Sequence, residues 1–354
     1  MNACKSRRAT ARRFGAPLVC LAVCLPATSV AQEASANVTQ FLTEHVGLKP
    51  LEVAAVERGE TVVRALDTSD KRDIAIFGIV AVDMPRDAYL QRLADFPHSL
   101  RRPTQTQFGL FGTPAATADI ETLTIDRQDL AKARTCGPGN CVFKLPAVSM
   151  KRLRDSIDWS AADPGLQADA LMRRRLVEYV NDYQARGDSA MVVYDDRGRV
   201  RASDAFDALL AQSPYVYRAD SSVYQYLARY PRARLDGVHE AVFWSVDSLQ
   251  GLRPILMVNH VVVYTPPGAS FSLAAQKQIY ANHYFEAALD LVAIVDRPRA
   301  DGTSGVYLVR LGRYRFDNMP SSPLVNVRGK AVRRFRDQIR AELDQAKTSA
   351  EPAQ

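Results

Sequence analysis

The stretch Ile255–Val295 constrains the fold of this chain more than any other. Ile255-Leu256-Met257-Val258-Asn259-His260-Val261-Val262-Val263-Tyr264 is extended and rich in β-branched residues. Pro266, Pro267 and Gly268 then mark a turn within Thr265–Ser270. A second run, Leu273–Phe285, carries Lys277, Ile279, Ala281, His283 and Phe285 on one parity. A third, Leu289–Val295, ends at Asp296-Arg297-Pro298. Turn-bounded runs of this kind predict consecutive antiparallel strands, the largest sheet the chain can build.

The N-terminus is set aside from the fold. Lys5, Arg7, Arg8, Arg12 and Arg13 form a basic region, Gly15–Leu25 an apolar one, and Ser29-Val30-Ala31 a small-residue exit. That order is the pattern of a secretory signal, with cleavage after Ala31 and a periplasmic or secreted product. Pro17, Pro26 and the short apolar run argue against a retained membrane anchor. Cys20 and Cys24 each follow a valine, which argues against lipidation. The chain has 46 basic and 39 acidic residues, a net charge of +7. Removing five basic residues with the signal leaves 41 against 39, or +2. Most of the basic excess is therefore a targeting device, and nucleic-acid binding loses its main support.

Beyond the signal only Cys136 and Cys141 remain, flanking Gly137-Pro138-Gly139-Asn140. Gly and Pro let the chain reverse within the separation a disulfide needs, so an exported protein should join this pair. Four intervening residues and the lack of a further Cys or His nearby disfavour a redox or zinc site.

Along the mature chain, Asn37–Leu48 reads as a short helix and Leu51–Ser69 as alternating, extended sequence. Ile74–Val82 is a clearer strand that pairs back around Asp67–Asp70. Helices are predicted from Pro85, from Asp126 as cap, and over Ala147–Trp159, Leu166–Arg186, Ser203–Leu210 and Ser221–Tyr230. Ala241–Trp244 and Gly305–Phe316 are strands. Val325–Ala346 is a long helix with Val327, Ala331, Phe335, Ile339 and Leu343 in one stripe. Thr348–Gln354 reads as a polar tail.

Strands, a helical middle, more antiparallel strands and one closing helix make an α+β pattern. Over Glu57–Phe96 and Glu240–Lys347 this order resembles the helix-grip fold of START-like proteins, the polyketide cyclase and lipid-transfer superfamily. The resemblance implies a curved antiparallel sheet wrapped around the C-terminal helix, in one domain spanning 32–347. Residues 100–235 would be a helical insertion. Phe243–Ser245, Lys277–Tyr280 and His283–Phe285 also resemble segments of a group of uncharacterised secreted bacterial proteins, which brings no activity with it. A helix-grip fold implies a cavity for a lipid, sterol or aromatic polyketide between sheet and helix. Trp244, Tyr264, Tyr280, Tyr284 and Tyr307 are the candidate walls, with Phe285 among them.

Counting back from the turn at Gly268 sets His260 opposite Lys277, with His283 about three pairs away. His260, Lys277 and His283 are therefore candidate polar contacts for a ligand, or the acid–base groups of an enzyme acting on an apolar substrate. Histidines bonded into the structure are the plainer alternative. No G-x-S-x-G, H-E-x-x-H, glycine-rich nucleotide loop or C-x-x-C is present in the mature chain, and no residue is assigned as catalytic. No metal site or cofactor is implied. The balance favours a binding protein for a hydrophobic molecule, most naturally a lipid. An enzyme on an apolar substrate and a structural envelope module are the alternatives.

Overall fold

The computed structural model describes residues 38–92, 101–213, 221–249, 251–299, 301–320 and 326–350. The expected signal peptide and residues 351–354 lie outside these. After a helical segment at 38–44 come α1 (Pro50–Glu57), β1 (Val62–Leu66), β2 (Asp73–Val82), α2 (Arg86–Arg92) and β3 (Gln105–Phe111). The helical middle holds α3 (Arg127–Ala133), α4 (Ala147–Ser156), α5 (Pro164–Arg186), the short pair β4 (Val193–Tyr194) and β5 (Val200–Arg201), α6 (Ala202–Ala211) and α7 (Ser221–Arg229). Strands β6 (His239–Asp247), β7 (Ile255–Tyr264), β8 (Phe271–Ala281), β9 (Phe285–Pro298) and β10 (Ser304–Phe316) follow, and α8 (Val327–Ala350) closes the chain.

The fold is α+β. Eight strands form one sheet in the order β1-β2-β10-β9-β8-β7-β6-β3, and every pairing is antiparallel. Strands β6 to β10 meander because their connections are short turns. Almost every residue of β7 is buried, which explains its unbroken apolar run: both faces of the sheet are covered.

On one face lies α8. Ile339 and Leu343 are buried against β2, and Gly78 is what lets them approach. A Cβ there would stand 2.6 Å from Ile339 Cγ2 and 2.8 Å from Leu343 Cδ1. Further along, Phe335 stacks on Tyr314 of β10 with ring centroids 4.3 Å apart. The apolar stripe read from the sequence thus does pack on the sheet. The helix continues through Ala350, itself buried, and so runs three residues into the segment expected as a tail.

The helical middle covers the opposite face. Leu256 and Val258 of β7 join α3, α4 and α5 in one apolar cluster, whereas Ile255 and Met257 join α8 in another. Helices α6 and α7 cover Val262, Leu273, Ala275, Leu289 and Leu291 on that same opposite face. Helix α1 and residues 38–48 cover Phe77, Ile79 and Tyr307.

Two local expectations are corrected. Residues 50–57 are helical, not extended. Pro50 starts the helix, and Glu52 accepts a hydrogen bond from the Lys49 backbone N–H at 2.8 Å, which satisfies a donor at the helix start. Leu273–Phe285 is not one strand. β8 stops at Ala281, and Asn282–Tyr284 turn the chain, with Tyr284 at φ 61°. His283 is therefore in a turn. Asp126 does cap α3, accepting from the Gln128 and Asp129 N–H groups at 2.9 and 3.0 Å. The Cys136–Cys141 disulfide is present. No helix among the described residues is long and apolar enough to cross a membrane.

Candidate ligand-binding site

The register pairs His260 with Lys277 across β7 and β8. Both point away from α8, into the layer formed by α5, α6 and α7. His260 is 1% exposed. Its Nε2 lies 3.1 Å from Glu240 Oε2 and its Nδ1 2.9 Å from the Tyr183 hydroxyl, while Tyr230 packs on the ring at 4.4 Å. A carboxylate only accepts, so Nε2 carries the proton and Nδ1 accepts from Tyr183. Burial pulls the imidazole below its ordinary pKa, and Glu240 opposes that only in part. Lys277 Nζ donates to Asp188 and to the Leu227 carbonyl, and it sits 4.3 Å from the Phe206 ring centroid. Burial lowers its pKa and Asp188 raises it. Each polar group thus has structural partners, and neither residue lines any of the three cavities described below.

Three more of the candidate walls are packing residues. Trp244 Nε1 donates to the Asp119 carbonyl at 2.8 Å. Tyr264 is buried in the cluster beneath α6 and α7. The Tyr307 hydroxyl donates to Glu57 at 2.5 Å.

Between the sheet and α8, where a helix-grip ligand is expected, the space is small. The cavity there measures about 40 Å³ and is lined by Asn259, Gln276, Gln278, Asp290, Tyr314 and Phe335 among others. Asn259 Nδ2 and both amide atoms of Gln278 are buried without a hydrogen-bond partner. Such a volume holds water molecules, which need about 10–15 Å³ each of this kind of space, but not a lipid.

The largest of the three cavities lies on the opposite side, inside the helical middle. It measures about 510 Å³ between α4, α5 and the segment leading into β4. Helix α5 starts at Asp163, whose side chain accepts from the Gly165 N–H at 2.9 Å, and Pro164 occupies the first turn. Its buried positions Leu171, Met172 and Leu176 line one wall. Leu153 of α4, Leu145 and Met191 complete an apolar lining, and Val148, 54% exposed, stands at the mouth with Arg152 and Arg175.

Tyr280 of β8 also lines this cavity. It is 2% exposed, yet its hydroxyl has no hydrogen-bond partner. Burial raises its pKa far above the ordinary value, so the group is a neutral donor and acceptor. A register shift between Val258 and Asn259 explains its direction. Val258 pairs with Tyr280 but Asn259 with Gln278, so Ile279 is an extra residue in β8. This β-bulge turns Tyr280 to the same side as Lys277, although strict alternation sets them on opposite sides. Its neighbour Tyr179, by contrast, is satisfied: its hydroxyl donates to the Ile279 carbonyl at 2.6 Å.

His283 and Tyr284 line a third cavity of about 180 Å³ with Lys144, Asp196, Arg253 and Asp317. His283 Nε2 is 2.6 Å from Asp129 Oδ2, and Phe143 stacks on its ring at 5.8 Å. Asp129 is fully buried. Burial pushes its pKa up, but the hydrogen bonds and charges of His283 and Arg253 outweigh this and hold it below the usual carboxylate value. His260, Lys277 and His283 therefore do not form one constellation.

Of the nine wall and contact candidates, Tyr280 reaches the large cavity, His283 and Tyr284 the third, and Phe285 the small space beneath α8. The sequence did not single out Leu145, Leu171, Met172, Leu176 and Met191 as cavity walls. Their apolar spacing marks a buried face, and the same pattern serves a filled core and an open one. Among the described residues no group of three or more His, Cys, Asp or Glu is placed to hold a metal ion. No family model matches this chain, and no curated protein matches it.

Proposed function

We propose that this protein is an exported binding protein for a small amphipathic molecule, a lipid being the leading class. The apolar body of the ligand lies in the 510 Å³ cavity between α4 and α5, and its polar end meets Tyr280. One observation carries the proposal: Tyr280 lines the apolar cavity, and its buried hydroxyl has no hydrogen-bond partner. A buried hydroxyl left unpaired costs about 1–3 kcal/mol, and a ligand oxygen restores that bond. The volume falls within the roughly 300–1,000 Å³ range of small-molecule sites, which are apolar with few polar groups. The export reading rests on the basic, apolar and small-residue order of the first 31 residues.

The test is displacement of a fluorescent fatty-acid analogue, together with mass spectrometry of lipid extracted from the purified protein. Tyr280→Phe should weaken binding about 2–10-fold, the worth of one hydrogen bond. The same change should leave the empty protein as stable or slightly more so, because it removes an unpaired polar group. Leu171→Trp should fill the cavity and block binding. No extractable lipid and no binding of the analogue would overturn the proposal.

A further inference from the structure

The 180 Å³ cavity beside His283 has a different chemistry from the apolar groove. Lys144 is 3% exposed, and its ammonium stands 3.7 Å from Asp317 and 3.8 Å from Asp196. Both separations are beyond hydrogen-bond length, so the three groups face one another across a gap. Tyr194 supports the ammonium from below, its ring centroid 4.3 Å away. Three donor hydrogens and two carboxylates thus meet around a space that none of them fills.

The charge around this space is balanced. Asp129 is matched by Arg253, and His283 also hydrogen-bonds to it. What faces the cavity beyond that pairing is Lys144 and Arg197 against Asp196 and Asp317. An anion meets two carboxylates and a cation meets two basic groups, so neither is favoured. A hydroxyl suits both, since it donates to a carboxylate and accepts from an ammonium at once. An oxygen set beside such a pair, about 2.8 Å from each group, makes both bonds. At about 15 Å³ of this kind of space per water molecule the cavity takes roughly a dozen, room enough for one sugar ring. Tyr284 borders the cavity with φ at 61°, a conformation that side-chain-bearing residues adopt rarely and that clusters at ligand clamps. The Arg253 backbone N–H donates to its hydroxyl at 3.1 Å and holds it in place.

We propose that this cavity is a second binding site, for a neutral polyhydroxylated molecule of monosaccharide size, whose hydroxyls bridge Lys144 to Asp196 and Asp317. The site is separate from the apolar groove and does not depend on a lipid binding there.

The experiment is calorimetry and ligand-observed NMR on the full mature chain, with D-glucose, D-galactose, D-mannose and myo-inositol as neutral probes. Inorganic phosphate and ethanolamine serve as the anionic and cationic comparisons. At least one neutral probe should bind saturably and more tightly than phosphate or ethanolamine. Lys144→Met and Asp317→Asn should each weaken it by more than about tenfold. Lys144 is buried, so Lys144→Met is paired with Arg197→Ala, a change at an exposed position. Arg197→Ala should keep the fold, judged by its unfolding transition, and still weaken binding. Tyr280→Phe should leave this binding unchanged. Tighter binding of phosphate or ethanolamine, no binding of any neutral probe, or binding that survives every variant would each overturn the proposal.

Discussion

His260 and Lys277 face each other across two strands, and what covers them decides their roles. His260 is held neutral by burial, so the unfolded chain takes up a proton more readily than the folded one. Its contribution to stability is present above the ordinary value of 6.5 and is lost as pH falls below it toward the depressed folded value. Urea unfolding measured at several pH values should show this loss, and His260→Gln should flatten it; an unchanged slope would count against the assignment. Lys277 gives a second, asymmetric prediction. Its side chain is 0% exposed, whereas Asp188 is 20% exposed. Asp188→Ala strands a buried ammonium and should cost about 3–5 kcal/mol. Lys277→Met leaves a carboxylate that water can reach, so its cost should be clearly smaller. Equal unfolding midpoints for the two variants would contradict the burial of the pair. The pairing itself was legible, because the turn at Pro266–Gly268 fixes the register. The direction was not. Alternation says that His260 and Lys277 share a face, but both faces of this sheet are apolar and covered.

The elements show where local sequence is enough. Asp126 before Arg127 marked its helix start, since capping is satisfied within one turn, whereas α5 starts at Pro164 under the Asp163 cap, two residues before the expected Leu166. The stripe on α8 also needed only its spacing. What spacing did not show is how close α8 comes to β2, which depends on one missing Cβ. Gly78→Ala forces a methyl group against Ile339 and Leu343 and should cost about 1–3 kcal/mol in chemical denaturation. Ile339→Ala in the same chain should recover part of that loss. A Gly78→Ala protein as stable as the wild type would show that the helix shifts freely. The break between β8 and β9 was hidden for a related reason. Asn282, His283 and Tyr284 carry neither Gly nor Pro, and the turn rests on contacts made elsewhere. Asn282 Oδ1 accepts from the Leu256 N–H at 2.9 Å, and His283 binds Asp129, 154 residues earlier.

At the scale of the molecule, three layers account for the composition of the strands: α8, the sheet, and the helical middle on the other side. The disulfide belongs to this last layer. Cys136 is buried in its core and Cys141 borders the charged cavity. The pair is five residues apart in sequence, so the closed loop is short and its entropic effect is about 2 kcal/mol. Replacing both cysteines by serine should lower stability by about that amount and leave the fold intact. Mass spectrometry of the purified protein should find the two joined. Free thiols at both positions, or complete unfolding of the double variant, would show that the loop has another role.

The sequence by itself determined the α+β class, the antiparallel meander, the closing amphipathic helix, the cysteine pair and the match of His260 to Lys277. All of these follow from spacing, from turn residues or from neighbours a few positions apart. Only the tertiary structure decided which layer each face of the sheet meets, and where open space remains. Tyr280 shows the reason. A single extra residue, Ile279, reverses the side to which it points, and a bulge is set by pairing with β7 rather than by the residues of β8 alone. Whether its hydroxyl then finds a partner depends on helices 100 residues away in sequence, such as the one carrying Tyr179.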